Sequence, residues 1–222
     1  MALLTALTGG IGAGKSVVSR ILRTMGYPVF DCDSEARALM DADSRIKERI
    51  AAEIAAEAIA GSDIDRRRLA EIVFADAAKL EILNSIVHAA VKERLAQWVE
   101  SEVKSEEVRV KSEEVRVKSE EVRVKGEEVR VKSGEPMLFV ETAILYQSGL
   151  NRLVDSEWCV EAPMELRIDR VMNRNGLTRS QVEDRIASQH FEIPDGEPRP
   201  FRSLIFNDGI NAVLPQIQAL LM

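Results

Sequence analysis

A phosphate-binding loop motif near the N-terminus constrains the fold of this chain more than any other feature. Residues 9–16, Gly-Gly-Ile-Gly-Ala-Gly-Lys-Ser, fit the pattern G-x-x-x-x-G-K-[ST]. An apolar run, Leu3 to Leu7, precedes the motif, and a helical pattern, Lys15 to Met25, follows it. In a strand–loop–helix arrangement of this kind, the backbone N–H groups of the loop and the positive N-terminal end of the helix surround a bound phosphate. The sequence therefore predicts a nucleoside triphosphate site, rather than a glycine-rich turn that only joins a strand to a helix.

Two side chains of the motif have expected contacts with ATP and its metal ion. Lys15 is expected to reach the β- and γ-phosphates, and Ser16 to ligate Mg²⁺. ATP is therefore the predicted co-substrate and Mg²⁺ the predicted cofactor. The predicted nucleotide-binding residues are Gly10, Ile11, Gly12, Ala13, Gly14, Lys15, Ser16, Val17 and Asn207.

Composition limits the class of protein. The chain has 222 residues, a hydrophobic content of 45% and a net charge of −7, which argue for one α/β domain with smaller appendages. An acidic chain is not expected to bind nucleic acid or anionic membranes, and no segment approaches the roughly 18 apolar residues of a membrane helix. Cys32 and Cys159 are expected to be buried free thiols in a reducing cytosol. The sequence predicts a cytoplasmic protein and names no protein partner.

Strand and helix patterns alternate along the chain. Residues 34–98 have a helical pattern, and a last helix is expected from Ile210 to Leu221 with a possible kink at Pro215. Such alternation predicts a parallel sheet covered by helices on both faces. The predicted strands after the first are Tyr27–Phe30, Met137–Val140, Trp158–Val160 and Ser203–Phe206.

A repetitive tract interrupts this order. Ser105 to Lys132 contains four seven-residue units, three of them Ser-Glu-Glu-Val-Arg-Val-Lys. In a helix the two valines of a unit lie about 200° apart, so they form no coiled-coil seam. Glu107 and Lys111, with their equivalents, are i,i+4 pairs in the favourable order. The pattern favours a solvated helix or disorder over β-structure or self-association, and predicts no catalytic role.

Carboxylates follow two predicted strands. Asp31 and Asp33 come after the second strand, at the sheet edge where ligands bind in parallel sheets. Their spacing is compatible with hydroxyl activation by one and support of Mg²⁺ by the other, and equally with capping of the next helix by Asp33 or Ser34. Glu141 is expected to reach Mg²⁺ through water or to hold the acceptor, or to be a solvent-exposed strand end. His88 has no neighbouring Cys or His, which favours a half-buried imidazole over zinc, with substrate contact as the alternative.

Three arginines are spaced for one helix face. Arg167, Arg170 and Arg174 lie at i, i+3 and i+7, and the turn at residues 173–178 follows, where a lid can hinge. Beside a phosphate-binding loop this spacing favours neutralisation of a transferring phosphate over a solvated charged face.

These stretches together resemble the dephospho-coenzyme A kinase family. The resemblance rests on residues 7–16, Asp31-Cys32-Asp33, Ile64-Asp65-Arg66, residues 83–88, Arg170 to Arg174 and Asn207-Asp208-Gly209, which occur in that family's order. It implies a P-loop NTPase fold with a helical substrate domain and a helical lid. It also implies transfer of the ATP γ-phosphoryl group to the 3′-hydroxyl of dephospho-coenzyme A, with Asp33 as the base, Lys15, Arg170 and Arg174 as catalytic partners, and Asp31, His88 and Glu141 at the acceptor.

The resemblance also implies a division of the chain. Residues 1–33, 137–166 and 199–222 form the expected nucleotide-binding core, 34–100 the acceptor domain, 101–136 the repeat insertion and 167–198 the lid. The chain departs from the family pattern at Ala89, at Glu141-Thr142-Ala143 and at Gln147. The alternatives are another small-molecule kinase, such as a nucleoside monophosphate kinase, and a non-catalytic ATP-binding scaffold that uses the repeats.

Overall fold

The computed structural model describes residues 2–121, 136–189, 197 and 200–222. The chain divides into two compact units, Phe30–Ala96 and a larger one made of Met1–Val29 and Gln97–Met222. The expected division into core, acceptor domain, repeat insertion and lid stays a prediction. Parts of the repeat insertion and of the lid, at 122–135, 190–196 and 198, lie outside the described residues.

Strands and helices follow one another along the chain, although consecutive helices and consecutive strands interrupt the predicted alternation. The strands are β1 Leu3–Thr8, β2 Val29–Asp31, β3 Ile59–Ala60, β4 Asp63–Ile64, β5 Met137–Glu141, β6 Ser156–Glu161 and β7 Phe201–Phe206. The helices are α1 Lys15–Thr24, α2 Cys32–Ala42, α3 Ser44–Glu53, α4 Arg66–Ala75, α5 Ala77–Glu121, α6 Met164–Asn175, α7 Arg179–Ala187 and α8 Val213–Leu220.

Five of the strands form one sheet in the order β2-β5-β1-β6-β7. Strand β1 pairs in parallel with β5 and β6, and β6 pairs in parallel with β7. The register places Leu7 opposite Glu141 and Thr8 opposite Cys159, so the carboxyl ends of these strands share one edge with the loop that follows β1. The predicted α/β fold with a parallel sheet and flanking helices is confirmed.

An apolar layer joins α1 and α8 to one face of the sheet. Its members are buried side chains from both helices and from β1, β5, β6 and β7, including Leu7, Val18, Leu22, Phe139, Trp158, Ile205 and Ile217. The Phe139 ring lies 5.7 Å from the Tyr27 ring and 5.0 Å from the Trp158 ring, measured between centroids. This packing fixes the start of α1, and with it the loop between β1 and α1.

The smaller unit has its own apolar core. Ile46, Ile50, Leu69, Val73 and Ile86 are buried there, on helices α3, α4 and α5. The helical pattern predicted for residues 34–98 is interrupted after α3, which ends at Glu53, because β3 and β4 form an antiparallel hairpin. Gly61, at a φ of 65°, permits the tight turn between these strands.

Helix α5 runs into the repeat tract. It extends for 45 residues, so the tract is helical up to Glu121 and its remainder lies outside the described residues. At the other end of the chain, α8 begins at Val213 rather than Ile210. Pro215 lies in its first turn, where no intrahelical N–H bond is lost, so the physical reason for the predicted kink does not apply there.

Candidate active site

The loop between β1 and α1 depends on glycines at two positions in particular. Gly12 and Gly14 have φ values of 77° and 100°, in the left-handed region, and Gly14 is the N-cap residue of α1. A Cβ atom at Gly12 would lie 2.5 Å from the carbonyl oxygen of Arg167. At Gly14 it would collide with the side-chain amide of Asn207. The loop therefore requires glycine both for its backbone conformation and for its close neighbours.

Gly12→Ala tests this requirement. Left-handed strain of about 1–3 kcal/mol and the collision with Arg167 are expected to open the loop, and to weaken ATP binding by about tenfold or more. Isothermal titration calorimetry measures the dissociation constant. Gly61→Ala is the matched control, because Gly61 also has a positive φ but no neighbouring atom lies within 4 Å of the place that its new Cβ would take. Equal ATP affinity in Gly12→Ala and the wild-type protein would contradict the prediction.

Side chains donate hydrogen bonds to several carbonyl groups of the loop. Lys15 Nζ donates to Gly9 O at 2.7 Å, and Asn207 Nδ2 donates to Ala13 O at 2.9 Å. Arg170 Nη1 donates to Gly12 O at 3.3 Å, while its Nη2 donates to Asn207 O at 3.0 Å. Because these side chains occupy carbonyl groups of the loop, they stabilise a loop conformation of the kind whose backbone N–H groups bind anions.

Two further residues hold Ile11. Its N–H donates to Gln189 Oε1 at 2.7 Å, and its carbonyl oxygen accepts from Arg167 Nε at 2.9 Å. Arg167 belongs to α6, and Gln189 follows α7. The sequence does not predict the contact of Gln189, because 178 positions separate the two residues and no local pattern signals it.

The three arginines of α6 have different environments. Arg167 and Arg170 bond to the loop, as described above. Arg174 is exposed near the end of the helix, and its Nε donates to Asn175 Oδ1 at 3.0 Å. Two of the three predicted phosphate-neutralising side chains therefore lie against the loop, and the third faces solvent.

Glu141 is held at the carboxyl end of β5. The buried hydroxyl of Ser19, on α1, donates to Glu141 Oε2 at 2.5 Å. The next residue, Thr142, donates its N–H to Leu7 O at 3.0 Å, which ties this strand end to β1. Glu141 is thus oriented by the helix that starts at the phosphate loop, although nothing in the local sequence predicts Ser19 as its partner.

The described residues contain no cluster of three or more His, Cys, Asp or Glu side chains that suits a metal ion. Mg²⁺ commonly binds one or two protein oxygens together with phosphates and water. Two residues fit that limited donor set. One is Ser16 at the start of α1, and the other is Glu141, whose second carboxylate oxygen does not accept from Ser19.

In the smaller unit, Asp31 caps α2. Its Oδ1 accepts from the N–H groups of Asp33 and Ser34 at 3.0 Å and 3.2 Å, and its Oδ2 accepts from Ser34 Oγ at 2.8 Å. The alternative in which Asp33 or Ser34 is the cap is therefore wrong. Asp33 is exposed, and its carboxylate forms no hydrogen bond with the described part of the chain.

His88 is half-buried on α5 of the smaller unit. Burial, with a smaller effect from Lys92, lowers the pKa of His88 below its ordinary value. The imidazole is therefore neutral at pH 7, and offers one donor and one acceptor nitrogen.

Both cysteines are buried thiols outside any disulfide, as predicted. Burial raises the pKa of the Cys159 thiol, and a hydrogen bond from Arg202 opposes the change only in part. Along 2–121, 136–189 and the described C-terminal residues, no helix has the length and apolar content needed to cross a membrane.

Comparisons with known proteins point to one family. The sequence profile described as dephospho-CoA kinase matches residues 3–112 and 120–194, and thus leaves out 113–119, the length of one repeat unit. A dephospho-CoA kinase of Bacteroides fragilis is 31% identical over 100% of this chain and 92% of its own length. One of Porphyromonas gingivalis is 34% identical over 84% of this chain and 77% of its own.

Solved structures support the same fold. The protein TT1252 from Thermus thermophilus has a TM-score of 0.67 at 29% identity, over 100% of this chain and 98% of its own. A dephospho-CoA kinase from Campylobacter jejuni has a TM-score of 0.56 over 99% of this chain and 98% of its own. At 21% identity, the second likeness shows the fold alone.

Proposed function

Because the chain belongs to the dephospho-CoA kinase family, we propose that it transfers the ATP γ-phosphoryl group to the 3′-hydroxyl of dephospho-CoA. The products are CoA and ADP, in the last step of coenzyme A synthesis. The observation that carries the proposal is the phosphate loop, whose carbonyl groups bond to Lys15, Arg167, Arg170 and Asn207. With those carbonyls occupied, the N–H groups from Gly10 to Ser16 are the proposed donors to the ATP phosphates, apart from those of Ile11 and Ala13, which donate to Gln189 Oε1 and to Gly10 O.

Asp33 is the proposed base. Its carboxylate accepts the proton of the 3′-hydroxyl, the hydroxyl oxygen bonds to the γ-phosphorus, and the bond from that phosphorus to the β–γ bridging oxygen breaks. ADP leaves with the electron pair of the broken bond. The proposal is supported by the exposure of Asp33 and by the capping role of Asp31, which leaves the Asp33 carboxylate available.

Charge on the transferring group is neutralised by cationic side chains. Lys15 contacts the β- and γ-phosphates, and Arg174, which is exposed, approaches the transferred group when the substrates are bound. Arg170 already lies at the loop, so its positive charge acts from a fixed position. Mg²⁺, held by Ser16 and the phosphates, would supply further positive charge to the phosphate oxygens.

Asp31, His88 and Glu141 are the proposed acceptor-binding residues. The neutral imidazole of His88 suits a hydrogen bond to an uncharged part of dephospho-CoA, since burial disfavours its charged form. The orientation of Glu141 by Ser19 supports a role at the edge of the sheet where β1 and β5 end. We also propose a cytoplasmic location, which the two buried thiols support because disulfides are rare in that compartment.

The test is ADP release from ATP and Mg²⁺ with and without dephospho-CoA, with mass detection of CoA. Acceptor-dependent ADP in equal amount with CoA is the expected result. A folded protein whose ADP release does not respond to dephospho-CoA would overturn the assigned acceptor. A panel of nucleoside monophosphates as acceptors then tests the other kinase hypothesis.

Deletion of 105–132 separates the enzyme from the scaffold hypothesis. The enzyme hypothesis predicts that turnover with dephospho-CoA is largely retained, because no residue of the proposed site lies in the repeats. A scaffold would instead lose a bound partner, which comparative pull-down from lysate would detect.

Ser19→Ala is expected to destabilise the larger unit. Loss of a buried hydrogen bond to a carboxylate should lower the free energy of unfolding by about 1–2 kcal/mol, which urea unfolding followed by circular dichroism measures. The control is Ser101→Ala, whose hydroxyl donates to Trp98 O in an exposed position. If both variants unfold at the wild-type urea concentration, Ser19 does not hold Glu141 in solution.

A further inference from the structure

Arg167 has a buried donor atom with no partner. Its Nε is fixed by Ile11 O, but its Nη2 is buried and makes no hydrogen bond within the described part of the chain. The Nη2 atom lies beside Gly10, because a Cβ atom built at Gly10 would collide with it. The unsatisfied donor is therefore at the first glycines of the phosphate loop.

A cavity of about 300 Å³ adjoins this position. It is lined by Gly9 and Gly10 of the loop, by the carboxyl end of β6, and by the side chains of Arg167 and Arg202. Arg202 is already engaged, since it lies 3.6 Å from the buried carboxylate of Glu157 and donates to Cys159 Sγ at 2.9 Å. Glu161 also lines the cavity, but it is exposed to solvent and makes no ion pair with Arg167 in the described residues.

Arg167 is half-buried, and the burial of its Nη2 atom without a partner has an energetic cost. Burial lowers the pKa of Arg167, and no carboxylate opposes that shift. Arg179 provides the contrast, because its exposed guanidinium contacts both Glu165 and Glu183. Buried polar atoms in folded proteins are generally hydrogen-bonded, so Nη2 calls for a partner from outside the described residues.

We propose that Arg167 binds a phosphate oxygen of a substrate at the Gly9–Gly10 end of the loop. The oxygen belongs to the γ-phosphate of ATP or to a phosphate of dephospho-CoA, and the inference rests on the proposed function for these two sources. Nε stays on Ile11 O while Nη2 donates to the anion, so a single side chain joins the loop to its ligand. Arg170 is less able to bind a phosphate in this way, because both of its terminal nitrogens already donate to the loop or to Asn207.

The experiment measures dissociation constants of ATP, ADP and dephospho-CoA for Arg167→Gln by isothermal titration calorimetry. Loss of one charge-assisted hydrogen bond is expected to weaken binding by about 10- to 100-fold. Weaker ATP with unchanged ADP identifies the γ-phosphate as the ligand, and weaker dephospho-CoA identifies the acceptor phosphate. Arg20→Gln is the control, because it removes the same charge from an exposed position on α1.

Two results overturn the proposal. Affinities within twofold of the wild-type values show that Arg167 binds no phosphate. An equal loss for ATP and ADP with unchanged dephospho-CoA, or an equal loss for all three ligands, shows that Arg167 only supports the loop. If Arg167→Gln does not fold, Arg167→Lys decides, because lysine cannot contact Ile11 O and an anion together and should lose several-fold in affinity for one substrate. Acceptor-dependent ADP release by the wild-type protein, measured alongside, separates failure of this proposal from failure of the proposed function.

Discussion

Asp33→Asn is expected to lower kcat for CoA formation by about 10²- to 10⁴-fold, the range over which a general base contributes. An asparagine amide cannot accept the proton of the 3′-hydroxyl at neutral pH. The fold should be retained, because Asp31 and not Asp33 caps α2. The measurement is acceptor-dependent ADP release at saturating ATP and dephospho-CoA, with CoA quantified by mass.

Asp43→Asn is the matched control for Asp33. It removes the same charge from the same unit, at the N-cap of α3, where an asparagine side chain still accepts a hydrogen bond. This control should turn over at nearly the wild-type rate, and both variants should bind ATP with unchanged affinity. Near-normal turnover by folded Asp33→Asn would show that another group takes the proton.

Lys15→Met is expected to lower kcat/KM for ATP by about 10²- to 10³-fold. This is the loss that enzymes show when they lack one hydrogen-bond donor that stabilises charge developing in the transition state. The substitution removes the cation assigned to the β- and γ-phosphates. It also removes the hydrogen bond from Lys15 Nζ to Gly9 O, which joins the two ends of the loop. Steady-state rates over a range of ATP concentrations give kcat and KM separately, and we expect both to change.

The control for Lys15 is Lys104→Met. Lys104 is an exposed residue of α5 that pairs with Glu100, and surface pairs of this kind contribute little to stability. Its kcat/KM should equal that of the wild-type protein. A kcat/KM for Lys15→Met within threefold of the control would remove Lys15 from the proposed catalytic residues.

The sequence predicts the features that depend on neighbouring residues. The phosphate loop, the strand before it and the helix after it form one continuous segment, and the glycines specify its backbone. The sheet follows from the alternation of strands and helices. The same local reasoning leaves the cap of α2 open, because Asp31, Asp33 and Ser34 are all residue types that cap helices.

Contacts between distant parts of the chain are not predictable in this way. Gln189 reaches Ile11, and Ser19 reaches Glu141, only after the elements have packed. The spacing of Arg167, Arg170 and Arg174 does predict a common helix face, but not which of them reaches the loop. Which arginines reach the loop depends on the point along α6 at which the helix packs against the loop. No local pattern in the sequence indicates that point.

The length of the repeated unit determines how the gain or loss of one unit alters the protein. A helix advances about 1.5 Å and turns about 100° per residue, so one seven-residue unit lengthens it by about 10.5 Å and leaves its phase shifted by only about 20°. Within the described helix up to Glu121, a copying slip that adds or removes one unit preserves the direction in which later residues of the helix face. Copy number in this tract is therefore a nearly neutral variable, and strains that differ in it should retain equal kinase activity.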